Sequence, residues 1–120
     1  MGSVLLVEDE AVVAMELQAM IEELNLDVVG VVGNGEEAVN LAKEHKPDIV
    51  FMDIRLTGKM DGIEAVEEIK QHYDPFVVYV TAYSDSEIME RAQATHPSGY
   101  LIKPVTREDL KSMIEIAGLS

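Results

Sequence analysis

The sequence predicts an α/β fold, in which a doubly wound parallel sheet of five strands carries helices on both of its faces. Short apolar runs alternate five times with amphipathic helical segments, which is the order of consecutive βα units. The apolar runs are nearly continuous, as expected of strands that are buried on both faces. At 120 residues the chain is about half as long as a closed eight-unit barrel requires, so we prefer an open sheet in a single domain over residues 1–120.

The first two units are marked by apolar spacing and by a capping residue. Residues 4–7 predict the first strand, and residues 11–24 place apolar side chains at helical spacing before Asn25, where we expect the helix to end. Residues 28–32 predict the second strand. Asn34, followed three residues later by Glu37, predicts the start of the second helix.

The third unit repeats this pattern. Residues 48–52 predict the third strand, and Asp61 with Glu64 forms a second capping pattern. The helix that follows is expected to end near Tyr73, because Pro75 disfavours helical geometry in the residue before it.

The last two units are shorter. Residues 76–80 predict the fourth strand, after which Ser84 with Glu87 is expected to open the fourth helix. Residues 100–102 predict a short fifth strand, and Thr106 is expected to begin the last helix.

Polar side chains follow the predicted strands at the edge where open sheets bind their ligands. These positions hold three acids, a hydroxyl with a small neighbour, and one cation: Glu8, Asp9, Asp53, Thr81, Ala82 and Lys103. Three adjacent carboxylates repel one another unless a cation lies between them. Mg²⁺ suits such acids, since it takes hard oxygen ligands from one or two carboxylates and from phosphate. We therefore expect a divalent metal beside a phosphoryl group, with Asp53 as the candidate nucleophile.

Composition excludes several classes of protein. A formal net charge of −14 argues against a direct nucleic-acid ligand, because phosphate binding needs clustered Lys and Arg. No apolar run is long enough to span a bilayer, and residues 1–3 do not begin a signal peptide. The chain has no cysteine, which excludes disulfides and thiolate sites and is compatible with a reducing compartment. We expect a soluble cytoplasmic protein without membrane contact.

The residues at the strand ends resemble those of the receiver domain of two-component response regulators, and the resemblance covers essentially the whole chain. It implies a three-layer, flavodoxin-like (βα)5 sandwich with strand order 2-1-3-4-5. Glu8 and Asp9 match the acids that bind Mg²⁺ or Mn²⁺ in that family, and Asp53 matches the phosphoacceptor. The backbone carbonyl of Arg55 matches a further metal ligand.

The remaining family positions are also present. Thr81 and Ala82 match the hydroxyl and small residues that contact the phosphoryl group, and Lys103 matches the lysine of the family's Lys-Pro pair. Thr81 also matches the residue that moves when the family switches, together with an aromatic side chain that corresponds to Tyr100. The side chains of Arg55 and Tyr83 flank the site two positions beyond Asp53 and Thr81, and are expected to tune the lifetime of the phosphorylated state.

The resemblance implies a signalling role. A sensor histidine kinase would donate the phosphoryl group, and the domain would catalyse its own phosphorylation and dephosphorylation without being an enzyme in the usual sense. The face made by the fourth helix, fifth strand and fifth helix would then regulate an effector domain or protein, and a homodimer remains open. The sequence leaves open whether the chain is free-standing or part of a larger regulator or hybrid sensor kinase.

One segment departs from the family pattern, and other functions compete with the receiver. The loop over residues 53–62 is one residue longer than the commonest form and has Thr57 where a proline is usual. A dehalogenase-like phosphatase would need an acid at the position of Arg55, and a flavodoxin-like carrier would need a phosphate-binding loop where residues 8–10 are all acidic. A constitutive binding module of the same fold is a third alternative.

Overall fold

A computed structural model describes residues 2–82 and 85–119. Five parallel strands form one sheet in the order β2-β1-β3-β4-β5, which confirms the doubly wound fold and its strand order. The strands are β1 (Ser3–Val7), β2 (Asp27–Val32), β3 (Ile49–Asp53), β4 (Phe76–Thr81) and β5 (Gly99–Ile102). The helices are α1 (Ala11–Glu23), α2 (Gly35–His45), α3 (Gly62–Lys70), α4 (Ser86–Ala94) and α5 (Arg107–Ile116).

Two apolar clusters, one on each face of the sheet, form the core. On one face, side chains of β1, β3 and β4 pack with the buried residues of α2 and α3. On the other face, the alternate side chains of the same strands pack with Leu17 and Ile21 of α1 and with Leu110 and Ile114 of α5. Within the described part of the chain, every helix is too short or too polar to cross a bilayer.

The observed ends of several elements differ slightly from the predicted ones. Asp53 and Thr81 are the last residues of β3 and β4, where the sequence placed them just after the strands. The residue that caps α4 is Asp85, whose carboxylate accepts from the backbone N–H groups of Glu87 and Ile88. The predicted cap, Ser84, lies outside the described residues.

Helix α4 is the least buried of the helices on its face. It buries only Ala92, whereas α3 buries five of its residues, including Ile63 and Ile69. Ile88 is half-buried against the core cluster and Ala94 is exposed. Helix α4 is therefore anchored more weakly to the core than α3 is.

Candidate functional site

Sheet register brings the candidate residues to one edge. Val7 of β1 pairs with Met52 of β3, so Glu8 and Asp53 each lie one residue beyond the same paired position on adjacent strands. Thr81 ends β4, and its carbonyl accepts from the backbone N–H of Lys103 just beyond β5. Because all strands are parallel, these four residues meet at the carboxyl edge of the sheet.

Three carboxylates cluster at this edge. One oxygen from each of Glu8, Asp9 and Asp53 lies within 4.8 Å of the others. Glu8 and Asp53 are both only 4% exposed, whereas Asp9 is half-buried. Glu8 and Asp53 thus lie in a low-dielectric setting, and Asp9 lies on its solvent side. A cation that entered from solvent would meet all three carboxylates.

Lys103 supplies the positive charge that the acids need. Its Nζ atom lies 2.7 Å from Glu8 Oε1 and 3.4 Å from Asp53 Oδ2. The lysine side chain is itself 16% exposed, so solvent screens these ion pairs only weakly. The peptide bond between Lys103 and Pro104 is cis.

The pKa values of the two buried acids, Glu8 and Asp53, shift in opposite directions. Burial, followed by the charge of Glu8, raises the pKa of Asp53 to about 7. Burial on its own would also raise the pKa of Glu8, but the Lys103 ammonium and the backbone N–H of Glu10 outweigh it and lower that pKa below its ordinary value. Of the two acids, Asp53 is therefore the one whose ionisation is disfavoured, because Lys103 lies closer to Glu8.

Backbone amides orient both carboxylates. The N–H of Arg55 donates to Asp53 Oδ1 at 3.0 Å, and the N–H of Glu10 donates to Glu8 Oε2 at 3.0 Å. Each carboxylate thus uses one oxygen for a local backbone bond and directs the other toward Lys103. The second oxygens are the ones available to a metal or to a reacting phosphorus.

The donor set fits a divalent cation such as Mg²⁺. Glu8 Oε1 is buried and accepts no well-aligned hydrogen bond from the described residues, although it is in ion-pair range of Lys103. This buried oxygen therefore has a charge partner in Lys103 but lacks a well-aligned hydrogen bond, and a cation that took the place of the ammonium would use it as a ligand. With Asp9 and Asp53 it forms the all-oxygen site that Mg²⁺ prefers.

The other predicted site residues lie near this cluster to different degrees. Thr81 is 2% exposed at the end of β4, and Ala82 after it is exposed. Tyr100 lies in β5 and is half-buried, with its ring directed into the core cluster of α2 and α3. Arg55 is exposed, and its backbone N–H donates to Asp53 Oδ1. Tyr83 lies outside the described residues.

Sequence reasoning did not identify the residues that hold Tyr100 and the end of α4. The rings of Tyr79 and Tyr100 stack with centroids 6.0 Å apart. The Tyr79 hydroxyl contacts Thr95 Oγ1 at 2.8 Å, and Lys70 donates to the carbonyls of Thr95 and His96. One signal for this contact was present in the sequence, the position of Tyr79 in a fully buried strand, since a buried phenol needs a hydrogen-bond partner.

Comparison with known proteins places these features in one family. A family model described as the response regulator receiver domain matches residues 4–115. The transcriptional regulatory protein PdtaR of Mycobacterium tuberculosis is 42% identical over 114 residues, which are 95% of this chain and 55% of that protein. The transcriptional regulatory protein YdfI of Bacillus subtilis is 34% identical over 118 residues, which are 98% of this chain and 55% of that protein. The chain thus spans about half the length of these relatives.

Solved structures agree with the sequence relatives. The signal receiver domain of a modulated diguanylate cyclase from Desulfovibrio desulfuricans G20 superposes with a TM-score of 0.92 at 39% identity, covering 98% of this chain and 93% of that one. The receiver domain of the sensor histidine kinase PA1611 from Pseudomonas aeruginosa PAO1 superposes with a TM-score of 0.87 at 29% identity and covers 98% of both chains. That receiver has a magnesium ion coordinated in its active site cleft.

Proposed function

The chain belongs to the response regulator receiver domain family, and from this premise we propose that Asp53 is the phosphoacceptor of a two-component signalling protein. Residues 1–120 would form a single receiver domain. The observation that carries the proposal is the Lys103 ammonium 3.4 Å from an Asp53 oxygen, at the edge of a cluster of three acids. A phosphoryl group on Asp53 would have a cation on one side and the metal ligands on the other.

The transfer itself needs an ionised Asp53. One carboxylate oxygen attacks the phosphorus of the donor, a P–O bond forms, and the bond from phosphorus to the leaving group breaks. With an acyl phosphate the leaving group departs as a carboxylate and no proton is required. With phosphohistidine on a sensor kinase, the P–N bond breaks and the histidine ring leaves as neutral imidazole, with the proton on its other ring nitrogen. Attack by water on the aspartyl phosphate reverses the modification.

Glu8, Asp9, Asp53 and the backbone carbonyl of Arg55 are the residues that would hold Mg²⁺ or Mn²⁺. When bound, the metal neutralises charge on the transferring phosphoryl oxygens. Phosphoryl transfer has a loose transition state, so the protein contributes mainly alignment and charge stabilisation. The N–H of Arg55 already fixes one oxygen of Asp53 and leaves the other to attack.

Lys103, Thr81 and Ala82 would complete the phosphoryl site. The Lys103 ammonium lies 2.7 Å from a Glu8 oxygen in this structure. Once the metal binds Glu8, the ammonium would form an ion pair with a phosphoryl oxygen instead. The hydroxyl of Thr81 and the backbone N–H of Ala82 would donate hydrogen bonds to the other oxygens. The small side chain of Ala82 leaves room for the donor, while the side chains of Arg55 and Tyr83 would influence the access of water and so the lifetime.

Phosphorylation would be read out through the face formed by α4, β5 and α5. The modification adds about −1.5 to −2 charges at one point, so a two-state element must carry it further. Thr81 would move toward the phosphoryl group and Tyr100 would change its packing. The weak burial of α4 supports this assignment, because it makes α4 the element that repacks at least cost.

Partners follow from this role. A sensor histidine kinase would phosphorylate Asp53 in the cytoplasm, and an effector domain or protein would bind the α4-β5-α5 face, with a homodimer as a further proposed partner. The relatives are about twice as long, so an effector would be part of the same protein in a regulator of that kind. Similarity to the receiver of a sensor histidine kinase supports a hybrid kinase as the second candidate.

Mass spectrometry after incubation with acetyl phosphate and Mg²⁺ tests the proposal. We expect a gain of one phosphoryl group that is absent in Asp53→Asn and in samples with EDTA. Asp74→Asn, which changes an aspartate whose side chain is 92% exposed, is the matched control and should be modified like the parent. Absence of modification would leave the constitutive binding module as the better interpretation, and modification that persists in Asp53→Asn would overturn the assignment of Asp53 as the phosphoacceptor.

A further inference from the structure

Gly62 lies directly against the backbone of Asp53. It is the first residue of α3, is buried, and its N–H donates to the carbonyl of Ile54 at 3.0 Å. A Cβ atom on Gly62 would overlap the carbonyl oxygen of Asp53 and lie 2.9 Å from its carbonyl carbon and from Ile54 Cα. The atoms in the way belong to backbone, so they cannot turn aside as a side chain would.

Glycine is required at position 62 because there is no room for a Cβ atom, and not because of its backbone angles. Glycines with positive φ in the described residues are Gly58 and Gly118, and Gly62 is not among them. In the first turn of a helix, alanine is a better residue than glycine on propensity alone. A side chain at position 62 is therefore excluded by the approach of α3 to Asp53, against the preference of the helix itself.

We propose that Gly62 is a positioning residue for Asp53, an inference that rests on the proposed role of Asp53 as phosphoacceptor. Because Gly62 has no side chain, the first residue of α3 can pack directly against the Asp53 carbonyl. This contact fixes the peptide units of residues 53–55. These units carry the phosphoacceptor, the N–H of Arg55 that orients it at 3.0 Å, and the Arg55 carbonyl assigned to the metal. The lengthened loop over residues 54–61 is closed at its base by the same contact.

The start of α3 is itself firmly held. Asp61 accepts from the N–H of Glu64 at 2.8 Å, and the Glu64 side chain accepts from the N–H of Asp61, which completes a capping box. Asp61 also forms an ion pair with Arg91 of α4 at 3.0 Å. The segment that packs against Asp53 at Gly62 is therefore the start of an anchored helix and not a free loop.

The test compares Gly62→Ala with Gly35→Ala. Gly35 is likewise the first residue of its helix, but the three atoms nearest to a Cβ there all belong to the Met60 side chain, with Cγ at 2.9 Å and Cβ at 3.0 Å, so the clash is with a side chain and not with the backbone of Asp53. We expect Gly62→Ala to lower the rate of phosphorylation by acetyl phosphate by at least about tenfold, since small misplacements of reacting groups are costly. We also expect it to weaken Mg²⁺ binding and to shift the Arg55 amide resonance, while Gly35→Ala leaves all three nearly unchanged.

A folded Gly62→Ala with parental phosphorylation, Mg²⁺ affinity and Arg55 resonance would overturn the inference. If Gly62→Ala does not fold, the pair Asp61→Ala and Asp61→Asn decides, because both remove the charge and only alanine removes the cap. Slower phosphorylation and a displaced Arg55 resonance in Asp61→Ala relative to Asp61→Asn support positioning by α3, and equal behaviour contradicts it. If the parent protein is not phosphorylated at all, the proposed function fails, while the Mg²⁺ and Arg55 readouts still test Gly62.

Discussion

The ammonium of Lys103 pairs with Glu8 at 2.7 Å, a shorter distance than the 3.4 Å that separates it from Asp53. The lysine therefore neutralises the same carboxylate that we assign to the metal. Binding of Mg²⁺ to Glu8 would have to replace this ion pair, and it would release the ammonium for the phosphoryl group. The proposed metal site and the placement of Lys103 would thereby be linked through the side chain of Glu8.

The first prediction concerns that competition. Lys103→Met removes a positive charge from the acidic cluster, so we expect Mg²⁺ to bind more tightly, by about tenfold for each 1.4 kcal/mol of relieved repulsion. Phosphorylation by acetyl phosphate should nevertheless become slower, because the charge that stabilises the transferring group is lost. Isothermal titration with Mg²⁺ and a phosphorylation time course measure the two effects.

Lys111→Met is the control for Lys103→Met, because it removes the same charge from an exposed position on α5. It should change neither the Mg²⁺ affinity nor the rate by more than a small factor. Weaker Mg²⁺ binding in Lys103→Met would show that the lysine holds Glu8 in place for the metal and does not compete with it.

The second prediction is a pH dependence of stability in the metal-free protein. The pKa of Asp53 is raised from its ordinary value of 3.8 to about 7, so the stability that its neutral form contributes is complete below about pH 4 and is lost as the pH rises through 7. The pKa of Glu8 is lowered and that of Lys103 is raised from 10.5, so their contributions change outside this window. Asp53→Asn should therefore stabilise the protein more at pH 8 than at pH 5, by on the order of 2 kcal/mol.

Urea unfolding in EDTA at pH 5 and at pH 8 measures this difference for the parent and for Asp53→Asn. Groups distant from Asp53 contribute equally to both proteins, so the difference reports Asp53 together with its direct neighbours Glu8 and Lys103. Saturating Mg²⁺ should remove the effect, because the cation stabilises the ionised form. Parallel pH profiles for the two metal-free proteins would mean that Asp53 is ionised throughout.

The third prediction concerns stabilisation by the metal. We expect Mg²⁺ to bind the folded state and therefore to raise the unfolding free energy by RT ln(1 + [Mg²⁺]/Kd), an increase that should continue with concentration above Kd. Glu8→Gln and Asp9→Asn should each remove most of the increase, whereas Asp74→Asn should retain it. Thermal unfolding over a series of Mg²⁺ concentrations measures it, and an unchanged response in both Glu8→Gln and Asp9→Asn would place the ion elsewhere.

The sequence predicted the sheet and the gathering of its polar residues because both depend on short-range patterns. Apolar runs define the strands, and parallel topology then brings residues such as Glu8, Asp53 and Lys103 to one edge whatever the details of packing. The caps Asn34 and Asp61 were predicted correctly for the same reason, since a cap acts within one turn.

Contacts between distant segments were not accessible in this way. The approach of Gly62 to the Asp53 backbone depends on where α3 begins after a loop of irregular path. The bond between Tyr79 and Thr95 depends on how α4 crosses β4, and no local pattern specifies it. Lys103 Nζ lies 2.7 Å from a Glu8 oxygen and 3.4 Å from an Asp53 oxygen. The spacing of these residues along the chain does not encode so small a difference in distance.

The last prediction separates the two phenols of the stacked pair Tyr79 and Tyr100. Thr95 Oγ1 donates to the Ala92 carbonyl at 2.6 Å, so its single proton is used and the Tyr79 hydroxyl must be the donor in their 2.8 Å contact. Tyr79→Phe should therefore cost about 1 kcal/mol of stability and speed hydrogen exchange at the amides of Thr95 and His96.

Tyr100→Phe should behave differently, because the buried Tyr100 hydroxyl has no hydrogen-bond partner among the described residues. Removing it while keeping the ring should leave stability unchanged or slightly higher. Tyr73→Phe, which loses a 2.9 Å bond to the Pro47 carbonyl, is the control for loss of a phenol bond away from α4, and should cost stability without faster exchange at Thr95. Urea unfolding with amide exchange distinguishes the three, and equal exchange at Thr95 in all of them would mean that Lys70 alone holds the end of α4.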